Sequence, residues 1–436
     1  MSTFKFKNKL ALAAVGAALS ALPMAANATN GYFSHGYGIT HKGMAGAGVA
    51  ITSNAMSGAT NPAALAKAGN RFDFGLESFS PDRTAVTRSD GTSYDGNGDS
   101  SFLIPEFAWN MDIDATKTFG VVVYGNGGMN TKYAAIPEYA GATTTNTGVN
   151  LSQLFIAPTF TFKVNPKHSI GVSLNLVYQE FEASGLGGFC GYKTTGCVNA
   201  LAPGAAASDL AGLADQGTDD STGYSIKIGW TGELTPNLSM AFAYQMETDM
   251  DAFSKYNNLF AESGDFDIPS NWTLGVAFKA TPDLNLMFDV QQINYTDVAS
   301  ISNPNDAANL GGTGTGQGQL GTNNGLGFGW DDMTVFKLGA EFNVNSDLVI
   351  RAGYSTTDQP IPAKETAFNL IAPAVVEEHI TLGMTYTLAN KSEISAFIMH
   401  APEVTVTGTT NTAGTSGAAN ISMSQTAFGI GYGWNY

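Results

Sequence analysis

The side chains of this 436-residue chain that could do chemistry are few and scattered. Asp95-Gly96-Asn97-Gly98-Asp99 has the oxygen spacing of the first half of a calcium loop, and we read it as a solvated acidic loop. Five histidines, His35, His41, His168, His379 and His400, show no H-E-x-x-H or comparable ligand spacing, so no metal is expected. The chain has no nucleophile elbow, phosphate loop or dinucleotide fingerprint, so no cofactor and no enzyme activity are expected. A hydrolase would need Ser173 or Ser395 to meet a histidine on an adjacent strand, because triads are defined by geometry. Cys190 and Cys197 fall in one long loop, and in an exported protein they are expected to form a disulfide.

With so little chemistry on offer, the chain's organisation carries the functional reading. Charged residues are 13%, about half the usual share of soluble proteins, and 51 residues are glycine. After residue 28 no apolar run approaches the ~18 residues that a membrane helix needs. Low charge, many glycines and aromatics, and no spanning helix together fit a transmembrane β-barrel, whose lipid-facing and lumenal residues alternate. Lys5, Lys7 and Lys9, the apolar run from Leu10 to Leu22 and Ala26-Asn27-Ala28 form a secretory signal peptide over residues 1–28. Removing those lysines takes the formal charge from -17 to -20, which argues against nucleic acid as a partner.

Residues 29–70 are rich in glycine and alanine, nearly uncharged, and without helical or strand periodicity. Such a segment orders only when enclosed, and we expect it to plug the lumen of a barrel formed by residues 71–436. Asn61-Pro62-Ala63 is its turn signal. Beyond it, period-two segments recur. Ile170, Val172, Leu174, Leu176 and Tyr178 alternate with small or polar residues, as do Trp272 to Phe278 and Ile380 to Tyr386. Fourteen strands are expected, from 71 to 83 through 118 to 133, 392 to 403 and finally 424 to 436. Short turns alternate with long loops along the chain, and an even count places both termini in the periplasm. The last strand, Phe428 to Tyr436, ends on an aromatic residue, similar to the assembly signal of bacterial outer-membrane barrels.

These features together resemble the FadL family of outer-membrane transporters for long-chain fatty acids and aromatic hydrocarbons. The likeness rests on Gly31-Tyr32-Phe33 through Gly43-Met44-Ala45-Gly46-Ala47-Gly48, on Asn61-Pro62-Ala63, on Arg351-Ala352-Gly353-Tyr354 with Gln359-Pro360-Ile361-Pro362, and on Glu378 to Gly383. The resemblance implies a 14-stranded antiparallel barrel closed by an N-terminal hatch, acting as a monomer. It implies that hydrophobic ligands are captured outside and released sideways into the lipid of the outer membrane. A lateral route is physically sensible: exposing a fourteen-carbon chain to water would cost about 10 kcal/mol. In the family the third strand is kinked to make the opening. That role passes to Gly125, Gly127 and Gly128, with Asn61, Pro62 and Ala63 as the neighbouring hatch turn. Tyr32 and Phe33 become ligand-contacting residues.

The expected function is passive import of a hydrophobic compound, with a long-chain fatty acid ranked first. A carboxylate ligand would call for a basic residue. Arg351 points inward by parity and is the candidate, with Glu341 or Glu393 as its alternative partner. A general diffusion porin, a lipid hydrolase and a purely structural barrel are the competing classes.

Overall fold

The computed structural model describes residues 29–87, 91–140, 146–193, 210–305, 318–409 and 419–436. Among these, fourteen long strands pair antiparallel, each with its neighbours in sequence. They are β1 (Arg71–Thr87), β2 (Phe102–Asp112), β3 (Lys117–Asn130), β4 (Asn146–Asn165), β5 (His168–Ser184), β6 (Asp219–Thr235) and β7 (Leu238–Gln245), followed by β8 (Asn271–Lys279), β9 (Leu284–Ile293), β10 (Met333–Asn343), β11 (Leu348–Thr356), β12 (Glu378–Thr387), β13 (Glu393–Thr407) and β14 (Ala419–Asn435). β14 returns to pair with β1 from Arg71 opposite Asn435 to Thr87 opposite Ala419, and this closes the cylinder. Closure leaves no exposed edge, the condition for a sheet to sit in lipid.

The alternation seen in the sequence is the alternation of the wall. On β5 the residues Ile170, Val172, Leu174 and Leu176 are exposed on the outside, while Gly171, Ser173 and Asn175 face inward. Phe428, Ile430, Tyr432 and Trp434 do the same on β14. Near the short-turn end of the seam, Phe72 packs its ring against Trp109, Trp434 and Tyr436. Such an aromatic girdle suits a membrane interface. The ladder runs farther than the apolar alternation at the other end: β1 reaches Thr87, β13 reaches Thr407, and β14 begins at Ala419. There the outward residues become polar, as in the Thr405–Ser422 pair. Apolar patterning therefore marks the membrane band, and backbone pairing continues past it.

Residues 29–70 lie inside this cylinder and are almost wholly buried. They form two single-turn helices, Ile39–Lys42 and Ser57–Thr60, and a 3-10 helix, Pro62–Lys67. The segment approaches the wall so closely that two inward wall positions admit no side chain. A Cβ on Gly353 of β11 would lie 2.0 Å from the carbonyl carbon of Met44, and one on Gly171 of β5 would lie 2.4 Å from that of Pro62. Both are below any real contact distance. We expect Gly353→Val to unseat the segment without opening the sheet, read as higher steady conductance in planar bilayers; Ala352→Val, on the outer face, should leave conductance unchanged.

Candidate functional site in the wall and hatch

The wall is not uniformly paired. β2 and β3 run side by side only from Asp112 opposite Thr118 to Phe107 opposite Val123. Beyond that point β2 pairs with β1 alone, as far as Phe102 opposite Phe79, and β3 pairs with β4 alone. The two strands part over their long-loop halves. The parting starts where the glycines begin: the β3–β4 register slips between Gly125 and Gly127, a bulge that turns β3. The side chain of Ile104 on β2 occupies the mouth of the gap, its Cγ2 3.4 Å from where a Cβ on Gly125 would lie.

The freed edge of β3 does not go unpaired. Gly128 donates its amide to the Tyr32 carbonyl at 2.9 Å, and Ser34 donates its amide to the Asn126 carbonyl at 2.8 Å. Phe33 and Gly127 thus form an antiparallel bridge. A Cβ on Gly127 would lie 1.8 Å from the Tyr32 carbonyl oxygen, so the approach requires glycine there. Asn126, pushed inward by the bulge, accepts from the Tyr37 hydroxyl at 2.7 Å and donates to Gln153 at 3.0 Å. The leading hatch residues have taken the place that β2 vacates.

Those residues also enter an aromatic cluster on the long-loop side. The Tyr32 ring lies 5.3 Å from Phe33, 5.4 Å from Tyr295, and 6.1 Å from both Phe266 and Trp330. Tyr295 meets Trp330 edge-on at 5.1 Å. The Tyr295 hydroxyl accepts from the Tyr32 amide at 3.1 Å and donates to the Asn30 carbonyl at 2.6 Å, fixing the chain's first turn. Phe266 continues the cluster outward to Phe260 and Phe181. Edge and tilted stacking of this kind makes a site for flat or flexible apolar molecules.

Deeper in the lumen, wall side chains complete the hatch backbone. Glu106 of β2 accepts from the amides of Gly38 and Ile39 at 3.0 and 2.8 Å, so it caps the start of the Ile39–Lys42 turn. Lys42, at the other end of that turn, is ion-paired with Glu77 and lies 3.7 Å from Glu106. Asp289 of β9 accepts from Gly48 and Val49, and Asp73 of β1 accepts from Ala55. Lys337 of β10 donates to the His35 carbonyl and Lys227 of β6 to that of Ala59. Five lumenal charges, Glu106, Asp289, Asp73, Lys227 and Lys337, thus hold a hatch backbone that has few internal bonds.

The residues singled out from the sequence fall into separate places. Tyr32, Phe33, Gly125, Gly127 and Gly128 meet at the gap. Asn61, Pro62 and Ala63 do not neighbour it: Asn61 caps Ala63 and donates to the carbonyls of Val49 and Trp230, and Thr161 donates to the Pro62 carbonyl, all toward the short-turn ends of β4, β5 and β6. Expecting that turn beside the opening was an error; its proline and capped asparagine seat the hatch against β4, β5 and β6, nearer their short-turn ends than the split. Arg351 does point inward, but it pairs with Glu341 at 2.9 Å and donates to Thr385 at 2.7 Å, away from the aromatic cluster. Counted from Asp95, the twelfth residue is Glu106, where a calcium loop carries its last ligand. That carboxylate is committed to the hatch, while Asn97 accepts from Arg83 and Asp99 pairs with Lys132. Ser173 and Ser395 bond to Thr159 and Thr385. Cys190 is buried and disulfide-bonded; Cys197 lies outside the described residues, as does the signal peptide. Sequence reading missed Tyr295, Phe266, Trp330, Glu106 and Asp289. Glu106 and Asp289 had a signal, since they are acids at inward positions of strands.

A closed barrel with an enclosed N-terminal hatch and a split between two wall strands defines a class of outer-membrane transport channel. The family model described as outer membrane protein transport protein (OMPP1/FadL/TodX) matches residues 20–436, and the chain belongs to that family. Its members are transport proteins rather than enzymes. Among solved structures the fold is similar to the toluene transporter TodX of P. putida, at 20% identity over 92% of this chain and 99% of that one, TM-score 0.67. It is also similar to the toluene transporter TbuX of Ralstonia pickettii (19%, 92% and 99%, 0.64) and to a FadL homologue of Pseudomonas aeruginosa (14%, 93% and 99%, 0.68). No curated protein matches the chain.

Removing the Tyr295 hydroxyl should loosen the leading segment while leaving the rings stacked, a loss of about 1–3 kcal/mol from two buried hydrogen bonds. In a Ser34→Cys background, we expect Tyr295→Phe to raise the rate of labelling by a water-soluble maleimide ~10-fold or more, with β-sheet content unchanged.

Proposed function

We propose that this protein imports hydrophobic small molecules passively across the outer membrane, with its long loops outside and both chain ends in the periplasm. The ligand enters the aromatic cluster from the long-loop side and competes with Tyr32 and Phe33 for its faces. Because the same two residues complete the edge of β3, a ligand that displaces them also frees the seam between β2 and β3. The molecule then leaves sideways, past Ile104, into outer-membrane lipid. The observation that carries this reading is the pair of hydrogen bonds joining Tyr32 and Ser34 to Gly128 and Asn126, since they tie the ligand-facing residues to the split in the wall.

A lateral path keeps an apolar molecule out of water throughout, whereas an axial path would pass the buried ion pairs and carboxylates of the hatch. Those groups speak against a diffusion porin, whose lumen leaves an aqueous channel. That two toluene transporters share the fold supports an apolar cargo. A fatty acid would be favoured by a free basic residue at the aromatic cluster, and Arg351, engaged elsewhere, does not supply it.

Closing the seam tests the route. With Ile104→Cys and Gly125→Cys together, oxidation should bridge β2 and β3. Uptake of naphthalene into liposomes bearing the protein should then fall to the protein-free rate and recover on reduction, while the wild type is indifferent to reductant. Undiminished uptake by the cross-linked protein would rule out lateral exit.

A further inference from the structure

The loop segments that deliver the outer rings of the aromatic cluster are rich in carboxylates. Phe266 stands between Asp265 and Asp267, Tyr295 is followed at two residues by Asp297, and Trp330 is followed directly by Asp331 and Asp332. Across residues 246–270, 294–305 and 318–332, the segments that deliver these rings, there are nine carboxylates and one lysine. That lysine, Lys255, reaches the Thr218 carbonyl. Asp267 lies within hydrogen-bonding reach of both Asp265 and Glu247, so three carboxyl groups crowd together, two of them on the residues that flank Phe266 in the chain.

Among the described residues the buried cations have partners of their own: Lys42 has Glu77, Lys227 and Lys337 have hatch carbonyls, Arg351 has Glu341, Arg71 has Asp73, Arg83 has Asn130 and Lys193 has the Ala211 carbonyl. Several buried polar atoms among the described residues have no hydrogen-bond partner, and one of them belongs to a ring of this cluster. The hydroxyl of Tyr32, fully buried at the centre of the cluster, lacks a hydrogen bond of ordinary geometry, and it feels both the Gln153 side chain and the Asp267 charge. A buried, unsatisfied hydroxyl among rings marks a place for a ligand that brings a π face or a neutral oxygen. An anionic headgroup brought there would face Asp267, while the buried cations among the described residues are engaged elsewhere.

Resting on the import function proposed above, we propose that Glu247, Asp265 and Asp267 form a charge filter at the entrance of the aromatic site, which admits uncharged hydrocarbons and rejects amphiphilic anions such as fatty-acid carboxylates. The filter has a pH dependence of definite sign. Limited solvation and the neighbouring Asp267, Asp297 and Asp249 raise the Glu247 carboxyl to about 7. Limited solvation, Asp267, Glu262 and Asp249 raise Asp265, and limited solvation with Asp249 and Glu262 raises Asp267. The three carboxyls are therefore fully charged at alkaline pH and lose charge as the pH falls through neutrality, well above the range of free carboxylates.

The test uses the full-length protein in lipid nanodiscs at low ionic strength, with equilibrium dialysis of naphthalene and 2-naphthalenesulfonate against empty nanodiscs. The sulfonate stays ionised at every pH used. At about pH 8 we expect the wild type to bind naphthalene at least ~10-fold more tightly than the sulfonate, beyond any difference seen with lipid alone. The combined Glu247→Gln, Asp265→Asn and Asp267→Asn variant should bind naphthalene unchanged and bring the ratio to within ~3-fold. In the wild type the ratio should shrink between about pH 8 and pH 5.5, and in the triple variant it should not. Equal binding of the two probes by the wild type, or an unchanged ratio in the variant, would overturn the filter while leaving hydrophobic import standing. Failure of the wild type to bind naphthalene would overturn both. The pH series on the wild type decides the matter even if the triple variant misfolds, since a ratio that does not move with pH also refutes the filter.

Discussion

A strand in lipid must have its backbone amides and carbonyls satisfied, and in this protein β2 and β3 part over their long-loop halves, so that β2 no longer satisfies the edge of β3 there. The leading hatch residues do so instead, through Gly128, Asn126, Tyr32 and Ser34. Much of the rest of the architecture follows from that substitution. The hatch must be held firmly enough to present its first residues to β3, which is the work of Glu106, Asp289 and Asp73 on its amides and of Lys227 and Lys337 on its carbonyls. On the proposed route it must also be removable, and its tip is seated among rings with two hydrogen bonds to β3 rather than in a ladder of its own.

The energetic logic separates two layers. In the lower layer the hatch is fixed by buried charged groups, and breaking any one of these costs several kcal/mol because the remaining partner stays desolvated. In the upper layer the contacts are aromatic, each worth about 0.5–1.5 kcal/mol beyond burial, together with the few hydrogen bonds of Asn30, Tyr32 and Ser34, and a ligand taking this place must outweigh both. On the proposed route, ligand entry competes with this weaker layer and leaves the fixed layer in place. Movement confined to the tip suffices, because the tip is what completes the seam.

Much of the fold was legible in the sequence, because the membrane imposes a strict period of two on residues such as Ile170 to Tyr178 and Phe428 to Tyr436. The enclosed hatch was legible from a segment too glycine-rich for a helix and too apolar for solvent. Strand ends were less so: β13 and β14 continue beyond the apolar band on polar residues that pair by backbone alone. The site was half legible. Tyr32, Phe33 and the glycines of β3 stand out by type, but Tyr295, Phe266 and Trp330 sit in long loops whose sequences carry no period, and only the folded chain brings them together. The placement of Asn61 failed because a turn motif tells how the chain bends and not which part of a cylinder it bends against.

The coupling between the tip and the wall is the claim on which the account stands, and amide hydrogen exchange reads both partners at once. With the protein in nanodiscs, exchange is followed at residues 31–35 and at 124–130, with and without saturating naphthalene. The account predicts that ligand speeds exchange in the two stretches together while residues 36–50 stay protected. Binding that leaves the 124–130 amides as protected as before would contradict it.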